Sequence, residues 1–121
     1  MIKLKVLIVD DHKNVRKALK EKLLCEPDLA VFDIPASSPE ALVEAMKNSP
    51  QIVLLDCKTY IGDGIQLYKK IYNTYTNVSI IIHTSCLSKQ EIDELNDIGI
   101  TFLLYKDLEI DKLLGVIRSE R

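Results

Sequence analysis

The 121-residue chain has few cysteines, little excess of either charge and no long apolar run. Its three cysteines, Cys25, Cys57 and Cys86, are odd in number, widely spaced and without a paired motif. Neither a disulfide framework nor a zinc knuckle is therefore indicated, and a reducing cytoplasm is the expected compartment.

Neither sign of charge is in large excess, since 16 basic and 18 acidic residues leave a formal net charge of -2. A surface that binds nucleic acid normally shows clustered basic residues and a high isoelectric point. Direct binding of nucleic acid by this segment is therefore not expected.

The first nine residues come nearest to a targeting or membrane segment. They place Lys3 and Lys5 before an apolar run, but Asp10 and Asp11 end that run early. A spanning helix needs about 20 apolar residues, so neither a signal peptide nor a membrane segment is expected. The chain also lacks an internal boundary or low-complexity tract, which favours one domain over residues 1–121.

Short apolar runs alternate with amphipathic stretches five times along the chain. Runs such as residues 6–9 and 80–82 are apolar without alternation, which is typical of strands buried on both faces of a parallel sheet. We therefore expect an α/β fold: a (βα)5 doubly wound, five-stranded parallel sheet with helices on both faces. Strand order 2-1-3-4-5, one of two common arrangements, would make the ends of strands one and three neighbours.

Helical periodicity predicts which side chains face this sheet. The expected stripes are Val15, Ala18, Leu19 and Leu23 in a helix over residues 13–24, Ile65, Tyr68, Ile71 and Tyr72 in a helix from about residue 64, and Ile110, Leu113, Leu114 and Ile117 in a helix over about residues 109–117. Ser38 before Pro39 is typical of a helix start, and Ser88 with Glu91 resembles a capping box. Gly99 is a natural residue to follow a helix end.

Polar residues stand at the ends of four apolar runs: Asp10 and Asp11, Asp56, Thr84, and Lys106. Ligand chemistry in parallel α/β sheets lies at the carboxyl ends of the strands. Three carboxylates meeting there would repel one another unless a cation compensated, and such oxygen ligands favour Mg²⁺. Thr84 and Lys106 would add a hydroxyl and a positive charge that suit a phosphoryl group, which leaves Asp56 as the best-placed nucleophile.

Short motifs surround these positions: Val9-Asp10-Asp11-His12, Leu54-Leu55-Asp56, Asp63-Gly64, Thr84-Ser85 and Tyr105-Lys106. Together they resemble the CheY-like receiver domain of two-component response regulators, and the resemblance covers essentially the whole chain. Asp-Asp-His with Arg16 following, and Lys106-Asp107, look like the NarL/LuxR branch of that family.

The resemblance implies a role for each matching position. It implies Asp10 and Asp11 as an acidic metal pair, Asp56 as phosphoacceptor and metal ligand, Lys58 as a metal ligand through its backbone carbonyl, Thr84 as switch hydroxyl and Lys106 as phosphate partner. The implied activity is Mg²⁺-dependent acceptance of a phosphoryl group from a sensor histidine kinase, followed by a conformational switch. Such a domain catalyses its own phosphorylation and dephosphorylation without being a turnover enzyme.

The same resemblance bears on the output. Members of the NarL/LuxR branch usually carry a C-terminal helix-turn-helix domain, so control of transcription through such a domain in a longer native chain is implied. The resemblance leaves open whether phosphorylation produces a homodimer, and it does not determine the dimer surface.

Three positions depart from the family pattern and keep alternatives open. Thr59 and Tyr60 stand where Met-Pro is common, and Leu103 stands where an aromatic switch is common. One alternative is a degenerate receiver that acts through protein interactions without phosphorylation. A flavodoxin-like cofactor-binding protein is the alternative from another class, but Asp10 and Asp11 would repel a cofactor phosphate.

Other polar residues have simpler interpretations. His12 and His83 are isolated, and a lone histidine near a strand end is more often packed or hydrogen-bonded than catalytic. A basic stripe on the first helix is either a kinase-docking surface or a solvated face, and it consists of Lys13, Arg16, Lys17 and Lys20.

Overall fold

A computed structural model describes residues 2–56, 64–85 and 87–120 of the chain. Strands and helices alternate along these ranges. The strands are β1 (Leu4–Val9), β2 (Leu29–Ile34), β3 (Ile52–Leu55), β4 (Ser79–Thr84) and β5 (Phe102–Tyr105). The helices are α1 (Lys13–Leu24), α2 (Pro39–Met46), α3 (Gly64–Thr74), α4 (Lys89–Asp97) and α5 (Ile110–Ser119).

The strands form one parallel sheet in the order β2-β1-β3-β4-β5, which confirms the predicted topology. Val9 at the end of β1 pairs with Ile34 of β2 on one side and with Leu55 of β3 on the other. Because the strands are parallel and in register, Asp10 and Asp56 leave the sheet side by side at its carboxyl edge.

Apolar side chains cover both faces of the sheet, as the uninterrupted apolar runs predict. The core under α2, α3 and α4 includes Leu7, Val9, Val53, Leu55, Ile80, Ile82, Leu42, Ile71 and Leu95. The core under α1 and α5 includes Val6, Ile8, Ile52, Leu54, Ile81, Leu23, Leu113, Leu114 and Ile117. Successive residues of a strand alternate between the two cores, so the sheet is doubly wound.

Predicted caps define the ends of the helices. Ser38 Oγ accepts a hydrogen bond from the backbone N–H of Ala41 at 3.2 Å. Ser88 and Glu91 form the complete capping box, each side chain accepting from the other residue's N–H. Gly99 has φ of +76°, a left-handed conformation that glycine adopts without steric cost. These signals place α2 and α4 where the sequence predicts them.

The predicted apolar stripe of α1 is half wrong. Leu19 and Leu23 are buried, whereas Val15 and Ala18 are exposed. The first half of α1 lies near the strand ends and the segment before α5, and there Val15 and Ala18 line a cavity of about 250 Å³. The sheet therefore buries only the second half of the stripe.

The prediction that Tyr72 faces inward is also wrong, since 65% of this residue is exposed. Ile65, Tyr68 and Ile71 are buried as expected. Tyr72 lies at the margin of the stripe, and its ring stacks on that of Tyr68 with centroids 6.0 Å apart. The aromatic pair thus extends the core to the surface of α3.

Candidate functional site

Asp10 and Asp56 are two buried carboxylates at the carboxyl edge of the sheet, with only 2% and 1% of each residue exposed. The backbone N–H of Asp10 donates to Ile34 O at 3.2 Å, and that of Asp56 donates to Val9 O at 3.0 Å. The strand ladder therefore continues one residue past β1 and β3 and fixes both backbones. Acidic residues this deeply buried need partners for their charge.

Lys106 supplies that partner from the end of β5. Its Nζ lies 2.7 Å from Asp10 Oδ2 and 2.9 Å from Asp56 Oδ2. Its backbone N–H donates to Thr84 O at 2.7 Å, which holds the start of the loop against β4. One ammonium group thus bridges the two carboxylates.

The ionisation of this cluster follows from its contacts. Burial opposes the charge of Lys106, but hydrogen bonds to Asp10 and Asp56 outweigh burial and raise the pKa of this lysine. Burial would raise the pKa of Asp10, but hydrogen bonds from Lys106 and His12 outweigh it and lower that pKa. Lys106 and Asp10 are consequently charged at neutral pH.

Thr84 supplies a second hydrogen-bond donor to Asp56. Its hydroxyl donates to Asp56 Oδ1 at 2.9 Å, and the residue is fully buried at the end of β4. Asp56 therefore has a hydroxyl on one carboxylate oxygen and the Lys106 ammonium on the other. Donors aimed at both oxygens orient the carboxylate in a fixed plane.

His12 belongs to the site, although the sequence indicated only a packed or hydrogen-bonded histidine. Its backbone N–H donates to Asp10 Oδ1 at 2.8 Å. Its ring Nδ1 lies 2.9 Å from Asp10 Oδ1 and 3.2 Å from Asp56 Oδ2. Its position directly after the Asp-Asp pair was the available signal.

Two further predicted metal ligands are Asp11 and Lys58. Asp11 is partly exposed, and its Oδ1 accepts a hydrogen bond from the backbone N–H of Ser37 at 2.9 Å. Lys58 lies outside the described residues, as do Thr59 and Tyr60. The described chain thus brings Asp10 and Asp56 together and turns Asp11 toward the loop after β2.

The donor set suits a divalent cation. Asp10, His12 and Asp56 each offer a ligand atom, and these atoms lie within 4.8 Å of one another. The two carboxylates outnumber the single ammonium group of Lys106, and hard oxygen donors are those that Mg²⁺ prefers. The residues present therefore fit Mg²⁺.

His83 precedes Thr84 in β4 and lies close to Lys106 without contributing to the carboxylate cluster described above. It is 6% exposed and lines the cavity between α1 and α5, together with Val15 and Leu113. Burial lowers the pKa of its ring, and the nearby charge of Lys106 lowers it further. His83 is therefore a packed histidine, as the sequence indicated.

Acidification should lower the free energy of unfolding because His83 is buried. Because its pKa is depressed on folding, its contribution to stability is present above the ordinary histidine pKa of 6.5 and is lost as pH falls. We expect the free energy of unfolding to drop more between pH 7.5 and 5.5 in the wild type than in His83→Leu, as measured by urea titration. Equal drops in both proteins would contradict this explanation.

The chain matches known proteins along most of its length. The family profile of the response regulator receiver domain matches residues 6–118. The nitrate/nitrite response regulator protein homolog of Haemophilus influenzae is 31% identical over 116 residues, which are 96% of this chain and 56% of the relative. The transcriptional regulatory protein LiaR of Bacillus subtilis is 28% identical over 116 residues, covering 96% of this chain and 55% of LiaR. The chain thus spans about half the length of these relatives.

Solved structures agree on the fold. A DNA-binding response regulator of the LuxR family from Staphylococcus aureus superposes with a TM-score of 0.83 at 17% identity, over 97% of this chain and 98% of that one. A CheY-like receiver domain protein from Methanospirillum hungatei gives 0.82 at 21% identity, over 99% and 94%. Among the described residues, no helix is long and apolar enough to cross a membrane.

Proposed function

The chain belongs to the response regulator receiver domain family of two-component signalling, and on this basis we propose that it accepts a phosphoryl group on Asp56 from a sensor histidine kinase. The observation that carries the proposal is the setting of Asp56. This buried carboxylate has a hydroxyl on one oxygen, a lysine ammonium on the other, and Asp10 beside it. Phosphoryl transfer depends mainly on positioning and charge neutralisation, and these groups supply both.

In the proposed reaction, a carboxylate oxygen of Asp56 forms a bond to phosphorus while the bond from phosphorus to the donor imidazole nitrogen breaks. The electron pair of the broken bond stays on that nitrogen, and the product on the chain is an acyl phosphate. Asp10, Asp11 and Asp56 are the side chains that would hold Mg²⁺, with the Lys58 carbonyl as the further ligand implied by kinship. When bound, the ion neutralises charge on the phosphoryl oxygens.

Phosphorylation changes the partners of Thr84 and Lys106. In this structure both side chains donate to Asp56 oxygens. Once Asp56 carries the phosphoryl group, the hydroxyl and the ammonium gain new acceptors farther from the sheet. Thr84 ends β4 and Lys106 follows β5, so the exchange is expected to shift the surface of α4, β5 and α5. That shift is the proposed signal.

The proposed output is control of transcription. The LuxR-family neighbour from Staphylococcus aureus is named as DNA-binding, LiaR is named as a transcriptional regulatory protein, and the chain spans about half of LiaR. We infer a DNA-binding domain as the effector of the switch, in the native protein or in a partner, and a phosphorylation-dependent homodimer as its active form. The domain itself needs no external substrate beyond its phosphoryl donor.

Removal of the metal tests the proposal. We expect intact mass spectrometry to show one phosphoryl adduct after incubation with acetyl phosphate and Mg²⁺, and none after chelation with EDTA. Beryllofluoride, which imitates the acyl phosphate, should bind under the same Mg²⁺ dependence. A chain that forms no adduct and binds no beryllofluoride would instead be a degenerate, phosphorylation-independent receiver.

A further inference from the structure

Arg16 does not lie on the solvated face where the sequence groups it with other basic residues of α1. It occupies the first turns of α1, and its backbone N–H donates to His12 O at 2.9 Å. Its side chain is only 15% exposed, because it folds back toward the ends of β1 and β2. Lys17, one residue on, is exposed.

The guanidinium of Arg16 joins two strand ends. Its Nη1 donates to the backbone oxygen of Asp10 at 2.7 Å, and its Nε donates to Asp33 Oδ2 at 2.9 Å. The N–H of Asp10 donates to Ile34 O, next to Asp33. Both peptide groups that flank Asp10 are thus tied to the end of β2.

Asp33 is in turn held by two cations. Lys20 Nζ donates to its Oδ1 at 2.8 Å while Arg16 holds its Oδ2. Burial would raise the pKa of Asp33, but hydrogen bonds from Lys20 and Arg16 outweigh it and lower that pKa. Asp33 is therefore charged and held in one orientation. It can anchor the planar guanidinium of Arg16, whose N–H groups donate in two fixed directions.

We propose that Arg16, anchored by Asp33, is a positioning residue that fixes the peptide between Asp10 and Asp11 and so aims the acidic residues at the metal ion. The proposal rests on the function proposed above. The Asp10 carbonyl begins the turn into α1, so its direction sets where the next residues point. Arg16 touches no reacting group and acts through this carbonyl.

The largest expected effect of replacing Arg16 is weaker binding of Mg²⁺. Groups that orient metal ligands typically contribute about 10–100-fold to metal affinity, and we expect Arg16→Lys to weaken Mg²⁺ binding by that order. Lysine keeps the positive charge but has a single ammonium group in place of the planar guanidinium. It therefore cannot donate to the Asp10 carbonyl and to Asp33 in the directions that arginine does. The matched control is Lys17→Met, which removes a charge from the exposed face of the same helix.

The experiment measures three quantities on the wild type, Arg16→Lys, Asp33→Asn and Lys17→Met. These are the Mg²⁺ dissociation constant by calorimetry, the urea midpoint, and the initial phosphorylation rate with acetyl phosphate across Mg²⁺ concentrations. We expect Arg16→Lys to need more Mg²⁺ but to approach the wild-type rate at saturation. Asp33→Asn should show a smaller shift in the same direction, because an amide oxygen still accepts from Arg16.

Mg²⁺ affinity equal to that of the wild type in a folded Arg16→Lys variant would overturn the positioning role. A lower urea midpoint with unchanged Mg²⁺ affinity would do the same, since it would make the contact purely structural. If the wild type neither binds Mg²⁺ nor forms an adduct, the proposed function falls as well. If the wild type binds Mg²⁺ and forms the adduct but Arg16→Lys binds Mg²⁺ equally well, the proposed function stands and only the positioning role of Arg16 falls.

Discussion

Replacing Lys106 by methionine is expected to lower the free energy of unfolding by about 3–5 kcal/mol at neutral pH. The substitution removes the ammonium that lies 2.7 Å from Asp10 and 2.9 Å from Asp56, and it leaves two almost fully buried carboxylates facing each other. The His12 N–H and the Thr84 hydroxyl still donate to these carboxylates, but both are neutral groups, so much of the desolvation cost of the two charges is no longer offset. Urea titration monitored by circular dichroism would measure the loss.

The pH and metal dependence of the Lys106→Met variant would identify the cause. In the wild type the pKa of Asp10 is lowered, so its contribution is present above the ordinary carboxyl pKa of 3.8 and is lost as pH falls. Without the lysine, burial is opposed only by the hydrogen bonds from His12, so the pKa of Asp10 should rise relative to the wild type. The variant should therefore lose less stability on acidification than the wild type, and it should gain stability on addition of Mg²⁺. Lys47→Met is the control, because it breaks an exposed ion pair with Glu44 and should cost about 0–1 kcal/mol. Equal losses in the two variants would refute the electrostatic explanation.

Asp56→Asn is expected to abolish phosphorylation while the fold is preserved. The amide cannot act as a nucleophile toward phosphorus, but its oxygen can still accept from Thr84 or Lys106. The change also relieves repulsion between two carboxylates and leaves the pair of Lys106 and Asp10 intact. Stability should therefore be equal to that of the wild type or slightly higher.

Intact mass after acetyl phosphate treatment measures this prediction, and Asp93→Asn is the matched control because Asp93 is exposed on α4. The control should accept a phosphoryl group at the wild-type rate. A phosphoryl adduct that survives in Asp56→Asn would move the acceptor to another residue. A variant that is unfolded would contradict the expectation that the fold tolerates an amide at this position.

The sequence predicts the topology well because the signals that determine it are local. Apolar runs without alternation, as in β1 and β4, follow from burial of both strand faces. Caps such as Ser88 with Glu91 depend on hydrogen bonds within one turn. Once strand order is given, the meeting of Asp10 and Asp56 follows from register.

What the sequence does not predict depends on contacts between distant segments. Arg16 looks like any charged residue on a helix face until β2 brings Asp33 beside it, 17 positions along the chain. Tyr72 and Val15 fit the helical period, but Tyr72 lies at the margin of its stripe and Val15 lies beside the cavity near α5. The turn of Asp11 toward Ser37 depends likewise on the path of the loop after β2.

The placement of Lys106 has a consequence for how the chain is assembled during synthesis. The carboxylates of Asp10 and Asp56 follow central strands, whereas Lys106 follows β5, the edge strand that joins the sheet through β4 alone. A chain that emerges from its amino terminus can pair β1 with β3 long before residue 106 exists. Until β5 docks, the growing sheet holds two acids together without this lysine. Docking of β5, the least buried strand, brings the ammonium of Lys106 to both carboxylates and supplies the positive charge that the central strands lack.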